Sequence, residues 1–171
     1  MRNSILSLIK FITWIVEIIC IIGTIALVII DGFILFHGNS FISSTGITGM
    51  GNNLSLVVLS VLLEAVLFGT VAFSVRYIRL VIENIKREIY FNHANLKLIK
   101  STLISVGVFT VVSIVESIVI GFASANVSSV YSLKFNFTDT MFSLVVLGIL
   151  YVIYLVFKNG LTLQDDQNHI I

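Results

Sequence analysis

The sequence predicts an all-α integral membrane protein: an antiparallel four-helix transmembrane bundle with both termini in the cytoplasm. Three observations predict it. Of 171 residues, 57% are hydrophobic and only 11% charged, against about 25% charged in soluble domains. Mean hydropathy is +1.08, gathered into four apolar stretches. Nine of the ten Lys and Arg residues lie on one side of those stretches. Such a composition excludes a water-soluble enzyme, and the absence of Pro and of low-complexity runs excludes a disordered or collagen-like chain.

A helix rising 1.5 Å per residue needs about 20 mostly apolar residues to cross ~30 Å of hydrocarbon. Residues 11–36 supply the first span. It far exceeds a secretory h-region of ~7 to 15 residues and no A-x-A exit follows, so it is expected to stay as a signal anchor. Residues 54–75 form the second span, after a loop rich in Gly, Ser, Thr and Asn. A charged connection over 76–100 leads to the third span at 102–123, and a second polar loop leads to the fourth at 141–157. The fourth is shortest and gains length if it starts near Phe135. No repeat or long linker divides the chain, so one domain is expected.

Orientation follows from the basic residues, which stay on the cytoplasmic side of span ends. Arg2 and Lys10 precede span one; Arg76, Arg79, Lys86, Arg87, Lys97 and Lys100 join spans two and three; Lys158 follows span four. Only Lys134 falls outside. Both termini, the 76–100 connection and the 158–171 tail are therefore expected in the cytoplasm of a multi-pass cell-membrane protein.

Within the connection, Ile78, Ile82, Ile85 and Ile89 recur at helical spacing, and Arg79, Glu83 and Arg87 step by four along another face. Span two should thus continue as a helix past the membrane. A turn is expected near Tyr90 and Phe91, with Asn92 or Asn95 capping the next helix. Two readings stay open: a helix resting on anionic headgroups, or a docking surface for a cytoplasmic partner.

The spans contain four acids and no bases. A charge at the bilayer centre costs ~2.5 to 3.5 kcal/mol even on insertion scales. Counted from the nearest basic residue at 1.5 Å per residue, Glu17 lies about 10 Å, Glu64 about 18 Å and Glu116 about 24 Å deep. Asp31 sits near the outer end of span one. Two uses compete. Each glutamate can be neutralised by burial and hydrogen-bond a nearby hydroxyl as interhelical glue. Alternatively, Glu17, Glu64 and Glu116 share an inner site for a proton, a cation or a cationic ligand. Four spans with no Pro and no inverted repeat argue against a self-contained pump, so transport would require a homo-oligomer.

Small residues mark close helix approaches: Gly23 with Ala26, Gly69 with Ala72, Gly121 with Ala125. The lone Cys20 lies inside span one and permits no intramolecular disulfide. Asn53, Asn126 and Asn136 open N-x-S/T sequons on the outer side, without meaning in a bacterial chain. His37, His93 and His169 fall in separate segments, which disfavours a metal site. No nucleotide, hydrolase or zinc motif occurs, so neither a catalytic residue nor a cofactor is expected. Direct nucleic-acid binding is not expected, because net charge is +1 and the basic residues face lipid headgroups.

Phe91, Asn95, Leu96 and Ile99, with Gly160, Leu163, Gln164, Asp166 and Ile170, resemble two motifs of the bacterial family known as domain of unknown function 2975. There a Phe and an Asn open the third span, and a G-x-x-L-Q-x-acid-x-x-x-I tail ends the chain. The resemblance covers most of the chain by topology and these two patches by residue. Asn168 and His169 stand where the family often has Asp and Thr. Members are often encoded beside a very small helix-turn-helix regulator. The resemblance therefore implies a non-enzymatic membrane protein that holds such a regulator, through Arg79, Glu83, Arg87, Phe91 and Asn95 of the connection and Gln164, Asp165 and Asp166 of the tail. The competing expectation is a small transport or immunity protein working through the span glutamates.

Overall fold

The computed structural model describes residues 2–38, 54–125 and 137–168. They form four helices: α1 (Arg2–His37), α2 (Leu54–Lys86), α3 (His93–Ala125) and α4 (Phe137–Asn168), with no strand among the described residues. Lys134, the three sequon asparagines, His169 and Ile170 lie outside them. The helices have 36, 33, 33 and 32 residues. At 1.5 Å per residue each is about 48 to 54 Å long, well beyond the ~30 Å of a hydrocarbon core. All four are long and apolar enough to cross a membrane.

Ile and Val dominate these helices although β-branching lowers helix propensity in water. In hydrocarbon the backbone must satisfy itself within the segment, and that requirement outweighs χ1 entropy. Side-chain placement fits this solvent. Buried positions include Ser60, Ala65, Ala72, Ser74, Thr102 and Thr110, whereas Ile22, Leu35, Val111, Val145 and Phe142 face outward. A soluble bundle would show the reverse. Small residues let the helices approach, and most hydroxyls are satisfied within their own helix: Ser60 donates to the Val57 carbonyl, Thr102 to Leu98 and Thr110 to Val106. Ser105 of α3 instead donates across to the Thr70 carbonyl of α2 at 2.9 Å.

Each helix packs on the next in sequence, α3 on α4 most lightly, and non-sequential pairs barely touch. Along the α1–α2 seam Lys86 meets Ser7, Glu83 meets Lys10, Arg79 meets Glu17, and the Phe68 ring lies over Gly23. Further along, Ile34 and Val57 are fully buried beside Leu54, Val58 and Val61.

The connection is a short structured turn. At the end of α2 the Ile89 amide donates to the Asn84 carbonyl and the Glu88 amide to Ile85, while Glu88 sits at φ 64°. This is a Schellman stop, with Glu88 in the left-handed position usually given to Gly. The cap of α3 is Asn92, whose side-chain oxygen accepts from the Asn95 amide at 2.7 Å. Asn95 does a different job. Fully buried, it donates to the Ile89 and Tyr90 carbonyls and accepts from Asn84 at 2.6 Å.

The turn also reaches α4. Phe91 packs at a tilt against Phe157 with ring centroids 5.4 Å apart, and a Cβ on Gly160 would stand 2.6 Å from the Phe91 ring. α4 continues through the 158–171 tail as helix to Asn168.

Candidate functional site

The three span glutamates separate into two groups. Glu17 is buried, and its Oε2 lies 2.8 Å from Nη2 of Arg79, an ion pair rather than an aligned hydrogen bond. The register of α1 on α2 sets Glu17 level with Arg79, four residues beyond Val75, where span two ends. Its neighbours along the seam are also paired. Glu83 takes Lys10 at 3.1 Å and Arg87 at 2.9 Å, and Lys86 donates to Ser7 at 2.9 Å. The hydrogen bond and charge of Lys10, reinforced by Arg87, hold the Glu83 carboxyl below the usual carboxylate range.

Arg79, Glu83 and Arg87, expected as a partner-facing row, are therefore engaged within the chain, with Arg87 the most exposed of them. Asn95, expected on the same surface, turns inward. It is 0% exposed, because closing the turn after a helix leaves carbonyls that need a buried donor. Phe91 is partly exposed and packs on α4.

Glu64 and Glu116 converge. Both line a recess of about 300 Å³ between α2 and α3, with Leu67, Phe68 and Phe109 as its apolar walls and Cys20 of α1 at its edge. Glu116 is half-buried and Glu64 exposed. Two carboxyl groups facing one apolar space favour sharing a proton or recruiting a cation, since both cannot stay charged there without compensation. Among the described residues no three His, Cys, Asp or Glu side chains group to hold a metal ion. Asp31 stands apart, with its buried Oδ1 lacking a hydrogen-bond partner among the described residues.

A larger recess of about 490 Å³ adjoins this one, sharing Val71 and Phe109 and adding Ser74, Ser113, Ser143 and Phe142. It was not foreseen from sequence because its walls come from three helices.

At the far end of α4, Leu163 is 66% exposed, and Gln164 and Asp166 are exposed on the same helical extension that carries Asp165. The two patches that carry the family resemblance meet in space, since Phe91 of one lies against Gly160 of the other. No protein-family model matches the chain, and no curated protein or solved structure matches it.

Proposed function

We propose that this chain is a non-enzymatic, multi-pass bacterial membrane protein of the kind it resembles, domain of unknown function 2975. In this reading the helices run antiparallel with both termini in the cytoplasm. The α1–α2 pairings support the first point and the grouping of basic residues the second. It senses a ligand or membrane state at Glu64 and Glu116, and holds a small helix-turn-helix regulator on the exposed end of α4. The observation that carries the reading is the helical extension past Gly160, which presents Leu163, Gln164 and Asp166 outward while the Phe91 contact anchors its base. A basic DNA-binding partner would meet acidic side chains there.

The test is affinity capture of a small helix-turn-helix regulator from the native host by the detergent-solubilised protein. The full chain is compared with one ending at Leu161, which keeps the Gly160 contact. Capture by the full chain alone supports the reading. Equal capture by both, or by neither, removes it.

The convergence of Glu64 and Glu116 on one recess favours a second reading, a transport or immunity protein that binds a proton, cation or membrane-active compound there. In that case Glu64→Gln or Glu116→Gln abolishes flux or protection, while the chain ending at Leu161 retains it.

A further inference from the structure

The α1–α2 seam carries a separate groove of about 280 Å³, with Ile21 and Ile25 on one wall and Phe73 on the other. Gly69 and Ala72 form its floor, and outside its own stretch of helix no heavy atom lies within 4 Å of where a Cβ on Gly69 would stand. Arg76 closes one end. Seven residues separate Arg76 from Gly69, so the slot extends inward along the helix for about 10 Å.

The charge at its mouth is uncompensated. Glu17 also borders the groove but is matched by Arg79. Arg76 is exposed and enters no hydrogen bond or ion pair among the described residues. It stands at the end of the apolar stretch of α2, next to Tyr77. Trp14, stacked with Phe11, lies on α1 one turn before Glu17. Aromatic rings of this kind mark headgroup depth. A guanidinium at that depth, above an open apolar slot, complements a phosphate carrying an acyl chain. It opposes a headgroup that ends in an amine.

We infer that the α1–α2 groove binds one anionic phospholipid of the adjacent leaflet, its phosphate on Arg76 and an acyl chain over Gly69 and Ala72. This site is distinct from the Glu64–Glu116 recess and does not depend on the function proposed above.

Trp14 is the single tryptophan, which permits a direct readout. The full chain in detergent is titrated with phosphatidylglycerol or phosphatidylcholine bearing brominated acyl chains, and quenching of Trp14 fluorescence is followed. Phosphatidylglycerol should quench at a mole fraction lower by about five-fold, the preference expected from one well-placed cation. Arg76→Gln should abolish that preference, and Gly69→Leu, which fills the slot and keeps the charge, should weaken quenching by both lipids. Lys97→Gln, removing an exposed cation elsewhere, should change neither. Equal quenching by the two lipids in the unaltered chain, an unchanged Arg76→Gln, or equal losses in Lys97→Gln and Arg76→Gln would each overturn the site. Displacement of the lipid by soluble glycerol phosphate would also overturn it, because the slot would then contribute nothing.

Discussion

Glu88 holds a left-handed backbone conformation at φ 64° to close the Schellman stop of α2. A Cβ in that region costs about 1 to 2 kcal/mol, which glycine escapes. Glu88→Gly should therefore exceed Glu88→Ala in stability by about 1 kcal/mol. Thermal unfolding in detergent measures the difference, and comparing these two variants cancels the loss of the carboxylate. Glu17 and Arg79 make the second case at this scale. Both are largely buried and 2.8 Å apart. Removing one partner strands the other, so Glu17→Leu should cost on the order of 3 kcal/mol, whereas Glu17→Leu with Arg79→Leu should recover most of that loss. A double variant no better than the single would show that the pair is not coupled. Their partnership was hidden in the sequence. Glu17 read as a membrane-depth acid and Arg79 as a surface cation, because each depth was counted along its own helix and the register between helices is a tertiary quantity.

The four helices themselves were legible from apolar length alone, and so was the continuation of span two, since Ile78, Ile82, Ile85 and Ile89 keep helical period past Val75. The start of α3 at His93 was legible too, because Asn92 was one of the two expected caps and its side chain accepts from the Asn95 amide. The run of α4 to Asn168 was not, since its polar end carries no apolar period to count. The contact of Phe91 with Gly160, which ties that end to the turn, is a tertiary one. The α4 junction is testable. A methyl at Gly160 would stand 2.6 Å from the Phe91 ring, and overpacking of that kind costs roughly 1 to 3 kcal/mol. Because the ring is partly exposed and can swing away, Gly160→Ala should fall at the low end. Adding Phe91→Ala should make the alanine nearly harmless, a coupling that separate stability measurements on the single and double variants reveal.

At the scale of the whole molecule the arrangement divides into a charged end and an apolar middle. At the charged end Lys10, Glu17, Arg79 and Glu83 bind α1 to α2, Asn84 and Asn95 bind α2 to α3, and Phe91 binds the turn to α4. In the middle the helices meet through small residues and leave recesses, one of which holds Glu64 and Glu116. This division predicts unequal chemistry for the three span glutamates. A hydrophobic carbodiimide reacts with protonated carboxyl groups in apolar surroundings, and an ionised carboxylate held by a guanidinium resists it. Glu64 and Glu116 should therefore be labelled while Glu17 is spared, and Arg79→Leu should make Glu17 reactive. Because the two recess carboxyls face one space, a lipophilic cation that enters it should protect both together, and Glu64→Gln should change the labelling rate of Glu116. Peptide mapping by mass spectrometry reads all of these positions in one experiment. Labelling of Glu17 at the same rate as Glu64 would mean that the Arg79 pair does not hold in the bilayer, and the separation of the charged end from the recess would fall with it.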